Sequence, residues 1–393
     1  MKKQKVCIIG GGLTGLITAA ALSKLNLKVD LVIGDIRKNL KSNRTVAISQ
    51  NNYDFLKNLD IFKFIEKDFW PCESMKLYTK TKNEVSDKIF DIQSEQNQKQ
   101  KILYMIENSK LIQQMLNFAK KNKFISIKSG DMVTKIVSSG LLKSVYFKKS
   151  SSSKYNLIIV CTGSNSNLVK TLFNEQVYER SYDETSITTI LDHNYLKNDI
   201  VRQIFLDKEI LALLPISNTK TSIVWTVKKD KVNEYSQKQN LILQNKIKLY
   251  TKGFLENLKF NKDIEYKDLN LLIRRKYYQD RVLLFGDALH VVHPMVGQGF
   301  NMILRDLISL RKTIKSKINL GLDIGSLDIV SEFLQDNKTG NFIYSMGIDS
   351  LKKFFDVESK NLKNFRNIII KKLNKNTFTK NIFFNVADKG FKL

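Results

Sequence analysis

Cysteine is scarce. Cys7, Cys72 and Cys161 are the whole complement of 393 residues, odd in number, far apart and without a Cys-x-x-Cys pair. A disulfide framework is excluded and a reducing cytoplasm is expected. Cys7 and Cys161 sit beside apolar runs and read as small buried hydrophobes. Histidine is as rare: His193, His290 and His293. The His290-x-x-His293 pair has no further ligand close by, so no metal centre is expected. His193 reads as an ordinary surface histidine. Long apolar runs are also missing, and nothing approaches the roughly 18 to 20 residues of a membrane span. The basic start Met1-Lys2-Lys3-Gln4-Lys5 imitates a signal peptide, but the following run breaks at Gly10-Gly11-Gly12 and no cleavage site follows, so none is expected.

What is abundant is positive charge, +27 formally. The excess is mostly Lys spread along the chain together with Asn and Ile, which reads as compositional drift. No zinc-finger spacing, aromatic-studded basic stripe or nucleic-acid module accompanies it, so nucleic acid is not an expected partner. Hydrophobic residues at 42% and charged ones at 26% suit a soluble globular protein. The length exceeds one core of usual size, which predicts two closely packed domains or one large composite.

Residues 5 to 33 read as strand, turn, helix, strand. Val6-Cys7-Ile8-Ile9 is a continuous apolar run, as in a parallel strand buried on both faces. Gly10-x-Gly12-x-x-Gly15 follows at once, then the helix Leu16 to Leu25 and the strand Val29 to Ile33. This is the dinucleotide-binding spacing. Gly10 permits the tight turn, Gly12 lets backbone approach a pyrophosphate, and Gly15 lets helix pack on strand. The anion would rest on the free N–H groups there. The acidic residue expected after the second strand falls at Ile33; Asp35, two residues on, is the candidate to replace it for the ribose.

A second signature runs from Arg281 to Asp306. The apolar strand Val282 to Phe285 delivers Gly286-Asp287, a loop holds Pro294, Gly297 and Gln298, and an amphipathic helix begins near Gly299 and carries Asn301. This segment resembles the second FAD motif of the class A flavin aromatic hydroxylases, the p-hydroxybenzoate hydroxylase type. Arg44 to Ser49 is similar to their arginine segment. Ile210 to Ile216 and Ser222 to Thr226 resemble the paired substrate-domain strands of the ubiquinone-biosynthesis hydroxylases in particular, and Asp349 to Phe355 with Asn364 and Arg366 their C-terminal segment. The likeness extends over nearly the whole chain.

The resemblance implies an α/β fold: a Rossmann-like FAD-binding domain (1–75, 101–180 and 270–330), an inserted antiparallel-sheet substrate domain (76–100 and 181–269) and a helical C-terminal region (331–393). It implies FAD, NADH or NADPH as electron donor, O2 trapped on reduced flavin as a C4a-hydroperoxide, and ring hydroxylation of a polyprenylated phenol, with other ubiquinone-biosynthesis proteins as partners. Expected cofactor contacts are Gly10, Gly12, Leu13, Thr14, Gly15, Asp35, Arg44, Gly163, Gly286, Asp287, Pro294, Gly297, Gly299 and Asn301, with Pro294, Gly297 and Gln298 at the flavin ring. No side chain is expected to act as general acid or base. His290 is expected as a structural hydrogen-bonding residue at the loop base.

The residues support parts of this independently. Asp287, at the C-terminal end of a buried strand, can accept hydrogen bonds from ribityl or ribose hydroxyls. The N-terminus of the helix near Gly299 would stabilise negative charge on reduced flavin. The chain departs from the family at Leu157 to Ser166, where Thr162 replaces its Asp, and at Val169, which replaces an Arg; Gly163 and Ser166 remain. These changes touch the segment that the family uses for pyrophosphate and nicotinamide. Two other readings stay open: a non-catalytic flavoprotein subunit of a ubiquinone-making assembly, and a flavin monooxygenase of another hydrophobic aromatic. A halogenase is disfavoured because the only tryptophans, Trp70 and Trp225, are far apart.

Elsewhere, Lys148 to Lys154 reads as a hairpin turn and Glu84 to Lys101 as a polar surface excursion of the substrate domain. The β-branched runs between Thr185 and Lys228 predict an antiparallel sheet. From Ser331 the chain reads as helical. Phe365 to Lys375 is a basic amphipathic helix that suits either packing over the FAD domain or rest on an anionic membrane surface. The expected location is cytoplasmic, or peripheral at the inner face of the membrane.

Overall fold

A computed structural model describes residues 3–391 except 60, 82–83, 94–100, 174–176, 237–239, 262 and 358. Apolar runs that alternate poorly and bury both faces become parallel strands. Lys5–Ile9, Lys28–Ile33, Leu157–Val160 and Val282–Leu284 build such a sheet, with Lys5–Ile9 between Leu157–Val160 and Lys28–Ile33, and the partly exposed Ile125–Ser129 adds a parallel strand beyond Lys28–Ile33. Val282–Leu284 lies beyond Leu157–Val160, and the short antiparallel strand Tyr278–Gln279 closes that edge. Leu16 and Ile17 of the helix Leu13–Ser23 share one core with Leu304 and Leu307 of the helix Gln298–Asn319. Val145, Phe147 and Tyr155 of a small antiparallel sheet (133–139, 142–147, 153–155) reach the same core. The turn expected at Lys148 to Lys154 joins the last two of these strands.

The runs with clearer two-residue alternation form a second, mostly antiparallel sheet. Its order is His290–Val291, Glu265–Arg274, Val177–Asp192, Lys220–Lys228, Ile210–Ser217, Ile200–Phe205, Ser74–Thr81 and Glu84–Gln93. Ile200–Phe205 and Ser74–Thr81 run parallel. One face carries Ile187, Ile204, Leu211, Leu213, Ile223 and Trp225 into a core closed by Tyr235, Leu243 and Ile247 from the helices Val232–Ser236 and Leu241–Thr251. The alternate residues face the other way, towards the first sheet. A Rossmann-like region with an inserted sheet and C-terminal helices is thus the architecture. Of the excursion expected at Glu84 to Lys101, residues 84–93 are a strand at the sheet edge and 94–100 lie outside the described residues.

His193 is a correction. It is buried, its Nδ1 donating to the Asn194 carbonyl (2.8 Å) while Nε2 meets the Thr221 hydroxyl (2.9 Å), so it pins a strand end instead of facing solvent. Its polar neighbours in the chain concealed this, because both partners are backbone or distant in sequence.

The C-terminal helices are Leu327–Phe355, Lys360–Lys375 and Thr377–Lys389. The first packs on the helix Gln298–Asn319 and is fastened to the second sheet by ion pairs: Arg180 with Asp349, and Lys352 with Glu184 at 2.7 Å. The second does not lie over the first region, where one reading of its sequence placed it. Ile370 packs instead with Phe90 and Phe205 at the far edge of the second sheet, and Arg366 donates to the Phe355 carbonyl (2.9 Å). The third helix returns to the first region, where Asp388 accepts from the Asn51 N–H (2.8 Å).

Glu184 is the centre of the fastening. Its carboxylate meets Lys352, Lys228 (3.2 Å) and His293 (3.3 Å), all at a position 2% exposed. Burial alone would raise its pKa, but hydrogen bonds from His293 and Lys352 and the charge of Lys352 hold it down at about 2. A depressed carboxyl stabilises the fold above its ordinary value of 4.5, and that contribution fades as pH falls from there towards 2. Urea unfolding across this window should show stability declining with acid, with a shallower decline in Glu184→Gln; an identical slope in both would contradict the role given to this carboxylate.

Candidate active site

Three neighbouring parallel strands end side by side, and their turns crowd one another. After Ile9, Gly10 takes φ +136°, and a Cβ there would lie 2.5 Å from the Cys161 carbonyl oxygen at the end of the next strand. A Cβ on Gly15 would lie 2.0 Å from the Gly10 oxygen, so helix and turn touch backbone to backbone. After Leu284, Gly286 takes φ +67°, and its Cβ would stand 2.5 Å from Thr14 Cγ2. The two glycine signatures, some 270 residues apart in the chain, are therefore in direct contact. Gly12 differs: a Cβ there meets nothing within 4 Å. It precedes the helix Leu13–Ser23 without a side-chain cap, leaving first-turn N–H groups to a ligand.

These turns open into a cleft of about 630 Å³. Gly10, Gly12, Leu13, Thr14, Asp35, Arg44, Gly163, Asp287, Pro294, Gly297 and Gly299 all line it. Thr162 lines it too, whereas Val169 is buried in the core. The cleft thus runs from the Gly10 turn to the Pro294–Gly299 loop. Asp35 is exposed and paired with Arg37 at 2.6 Å; Arg44 lies 3.3 Å from Glu265. Burial pushes the Cys161 thiol up, with Asp287 adding to the effect.

Four residues expected at the cofactor do not line the cleft. Gly15 and Gly286 act behind it, allowing the close approaches just described. Asn301 is fully buried: its Oδ1 accepts from the Ser49 N–H (2.9 Å) and Asn52 Nδ2 (2.9 Å), and its Nδ2 donates to the carbonyls of Ala47 (3.0 Å) and Gly297 (3.2 Å). It ties the strand Thr45–Ser49 to the loop instead of reaching the cleft. Gln298 accepts from the Tyr344 hydroxyl at 2.7 Å and is likewise buried. The loop base is held by His290, whose Nε2 donates to Asp306 (2.8 Å), and by Arg274, whose Nε donates to the Ala288 carbonyl (2.8 Å). His293 accepts from the Met295 N–H at Nδ1 (3.1 Å), which leaves Nε2 to donate to Glu184. The two histidines thus serve different carboxylates.

The opposite wall was not foreseen residue by residue. Met75, Val201, Gln203, Ala212, Leu214 and Val224 from the second sheet, with Leu103 and Met105 from the strand Leu103–Glu107, give it an apolar lining. Alternation in Ile210-Leu211-Ala212-Leu213-Leu214 signals two faces, but only the structure shows that Ala212 and Leu214 look at the cleft while Leu211 and Leu213 enter the core.

The contact between the signatures is testable through the backbone. Gly286→Ala must move Thr14 and hold alanine at positive φ, which should lower unfolding free energy by roughly 1–3 kcal/mol in urea. Gly12→Ala, at φ −76° and ψ 175° with open space ahead, should change it by less than about 0.5 kcal/mol. Equal losses in the two variants would show that Gly286 and Thr14 are not tightly apposed.

The residues fit FAD: an open cradle at Gly12, an uncapped helix start, a carboxylate at Asp287 and glycine backbone at Gly297 share one elongated cleft. Comparison with known proteins agrees. The chain is 25% identical to the ubiquinone biosynthesis monooxygenase COQ6 of Dictyostelium discoideum, over 97% of this chain and 90% of that protein. It is 21% identical to the 3-demethoxyubiquinol 3-hydroxylase of Escherichia coli, over 93% of each. Its fold matches that of p-nitrophenol 4-monooxygenase PnpA from Pseudomonas putida with a TM-score of 0.81 at 14% identity, covering 100% of this chain and 99% of that one. A sequence model described as an FAD binding domain spans residues 3–319, and the chain belongs to that family.

Proposed function

We propose that the protein is an FAD-dependent monooxygenase that hydroxylates the ring of a polyprenylated phenol in ubiquinone biosynthesis. The observation that carries this reading is the pairing within one cleft of a dinucleotide cradle on one side and an apolar sheet face on the other. The relatives named for ubiquinone biosynthesis, matched almost end to end, support the pathway.

Leu13 and Thr14 N–H groups would hold the pyrophosphate, Asp35 and Arg44 would serve the adenosine end, and Asp287 would accept from ribityl hydroxyls. Gly163 and Thr162 would border the phosphates and the approach of the nicotinamide. Backbone at Pro294, Gly297 and Gly299 would meet the flat ring, and the start of the helix Gln298–Asn319 would stabilise negative charge on it without a charged side chain. When bound, FAD supplies the redox chemistry, taking electrons from NADH or NADPH and using them to activate O2. The chain's work is to orient the substrate ring and exclude water, for which Met75, Met105, Val201, Leu214 and Val224 provide the apolar surround.

A lipid-soluble substrate also suits a place at a membrane surface. Among the described residues no helix is long and apolar enough to cross a membrane. Leu362, Phe365 and Ile368 are nevertheless more than half exposed, with exposed Lys372 and Lys375 on the same helix. Phe378, Ile382 and Phe383 of the next helix are also exposed. Apolar side chains beside lysines match an anionic lipid surface.

For the reaction, protein carrying yellow flavin should oxidise NADH or NADPH several-fold faster when 2-prenylphenol is added, with hydroxylated product formed. Flavin binding without any phenol-stimulated turnover would instead favour a non-catalytic subunit, a reading motivated by Thr162. For the surface, sedimentation with phosphatidylglycerol vesicles should exceed that with phosphatidylcholine vesicles and fall in Phe365→Ser/Phe378→Ser; no difference between the vesicles would remove the membrane from the proposal.

A further inference from the structure

The apolar wall of the cleft is interrupted by one carboxamide. Gln203 sits in the strand Ile200–Phe205, in register with Ala212 on one side and Leu77 on the other, and lines the cleft with Val201. Its neighbours in the strand turn the opposite way: Ile204 enters the core behind the sheet, and the Arg202 guanidinium lies over the Phe254 ring at 5.2 Å. Gln203 is only 2% exposed, yet its Nε2 has no hydrogen-bond partner among the described residues. Leaving such a donor buried and unpaired is destabilising. Leu or Met would fill the same space in this wall without that penalty.

We propose that Gln203 is a positioning residue that binds the ring oxygen of the substrate. This rests on the phenol-hydroxylase reading above and names the group that sets the ring's orientation within it. A phenolic hydroxyl both donates and accepts, so it pairs with the carboxamide whichever end is turned towards it. An alkyl or isoprenoid substituent cannot, and is left to Met75, Leu103 and Met105. One polar anchor in an apolar wall thereby fixes which edge of the ring meets the sheet, and discriminates against rings that lack the oxygen, because those leave the amide unpaired.

The experiment titrates the FAD-loaded full chain with 2-prenylphenol and with prenylbenzene, reading perturbation of the flavin absorbance, and melts each protein without ligand. Wild type should bind the phenol roughly tenfold more tightly than the hydrocarbon. Gln203→Leu should lose that preference through weaker phenol binding alone, and should melt at the same or a higher temperature because the orphaned amide is gone. Gln203→Met, closer in shape, should behave alike, and guards against a Leu variant that packs badly. An unchanged preference in the variants, or a lower melting temperature with both ligands weakened equally, would overturn the assignment and make Gln203 merely structural. Wild type in which neither compound perturbs the flavin would sink the phenol-hydroxylase reading and the role of Gln203 with it. The preference ratio separates the two failures, since the role of Gln203 alone fails when wild type discriminates and the variants discriminate equally.

Discussion

The structure depends on how closely three parallel strand ends can approach one another. Gly10, Gly15 and Gly286 occur where a single methyl group would strike backbone or Thr14. Because those contacts are steric, they bring together the start of the helix Leu13–Ser23 and the Asp287 loop, although the chain makes its whole excursion through the second sheet between them. The cleft follows from this apposition. At Gly12, by contrast, there is space beyond the backbone, and that space belongs to the cleft.

The far wall needs a different kind of support. The second sheet must present one face to the cleft while the other is sealed by its own core around Trp225 and Tyr235. Its orientation against the first region is held by buried polar groups. Glu184 joins His293, next to the loop residue Pro294, to Lys352 on a C-terminal helix. Asn301 joins the same loop to the strand that follows Arg44. Such fully engaged polar networks specify one arrangement of elements that hydrophobic packing alone would leave looser. The C-terminal helices therefore take part in shaping the cleft without lining it.

The four strands after Lys5, Lys28, Asn156 and Arg281 were legible because burial on both faces leaves Val/Ile/Leu runs, whereas Ile125–Ser129, partly exposed, carries no such run; the glycine spacing was legible because only glycine survives those steric contacts. Three features resisted a linear reading. Asn301 and Gln298 lie within a cofactor signature, yet their partners, Ser49, Asn52 and Tyr344, are distant in sequence, and so their structural roles were hidden. His193 looked exposed because its neighbours are polar, while Thr221, its partner, arrives from another strand. Which residues of the runs between Thr185 and Lys228 face the cleft, Gln203 among them, was hidden because both faces of that sheet are covered. The packing of the helix Lys360–Lys375 was ambiguous for a related reason: it carries apolar residues on two sides, and tertiary contact decides which side is buried.

Function is then a matter of what the cleft brings together. The strand ends offer backbone N–H groups and one carboxylate suited to a dinucleotide cofactor, and the sheet offers an apolar surface across the same cleft. The most direct measurement is a crystal structure of the chain loaded with FAD. The pyrophosphate should lie within hydrogen-bonding distance of the Leu13 and Thr14 N–H groups, with the isoalloxazine against the Gly297–Gly299 backbone. Flavin density that leaves either the Gly10 turn or the Pro294–Gly299 loop without contact would contradict the shared cleft on which the functional reading stands.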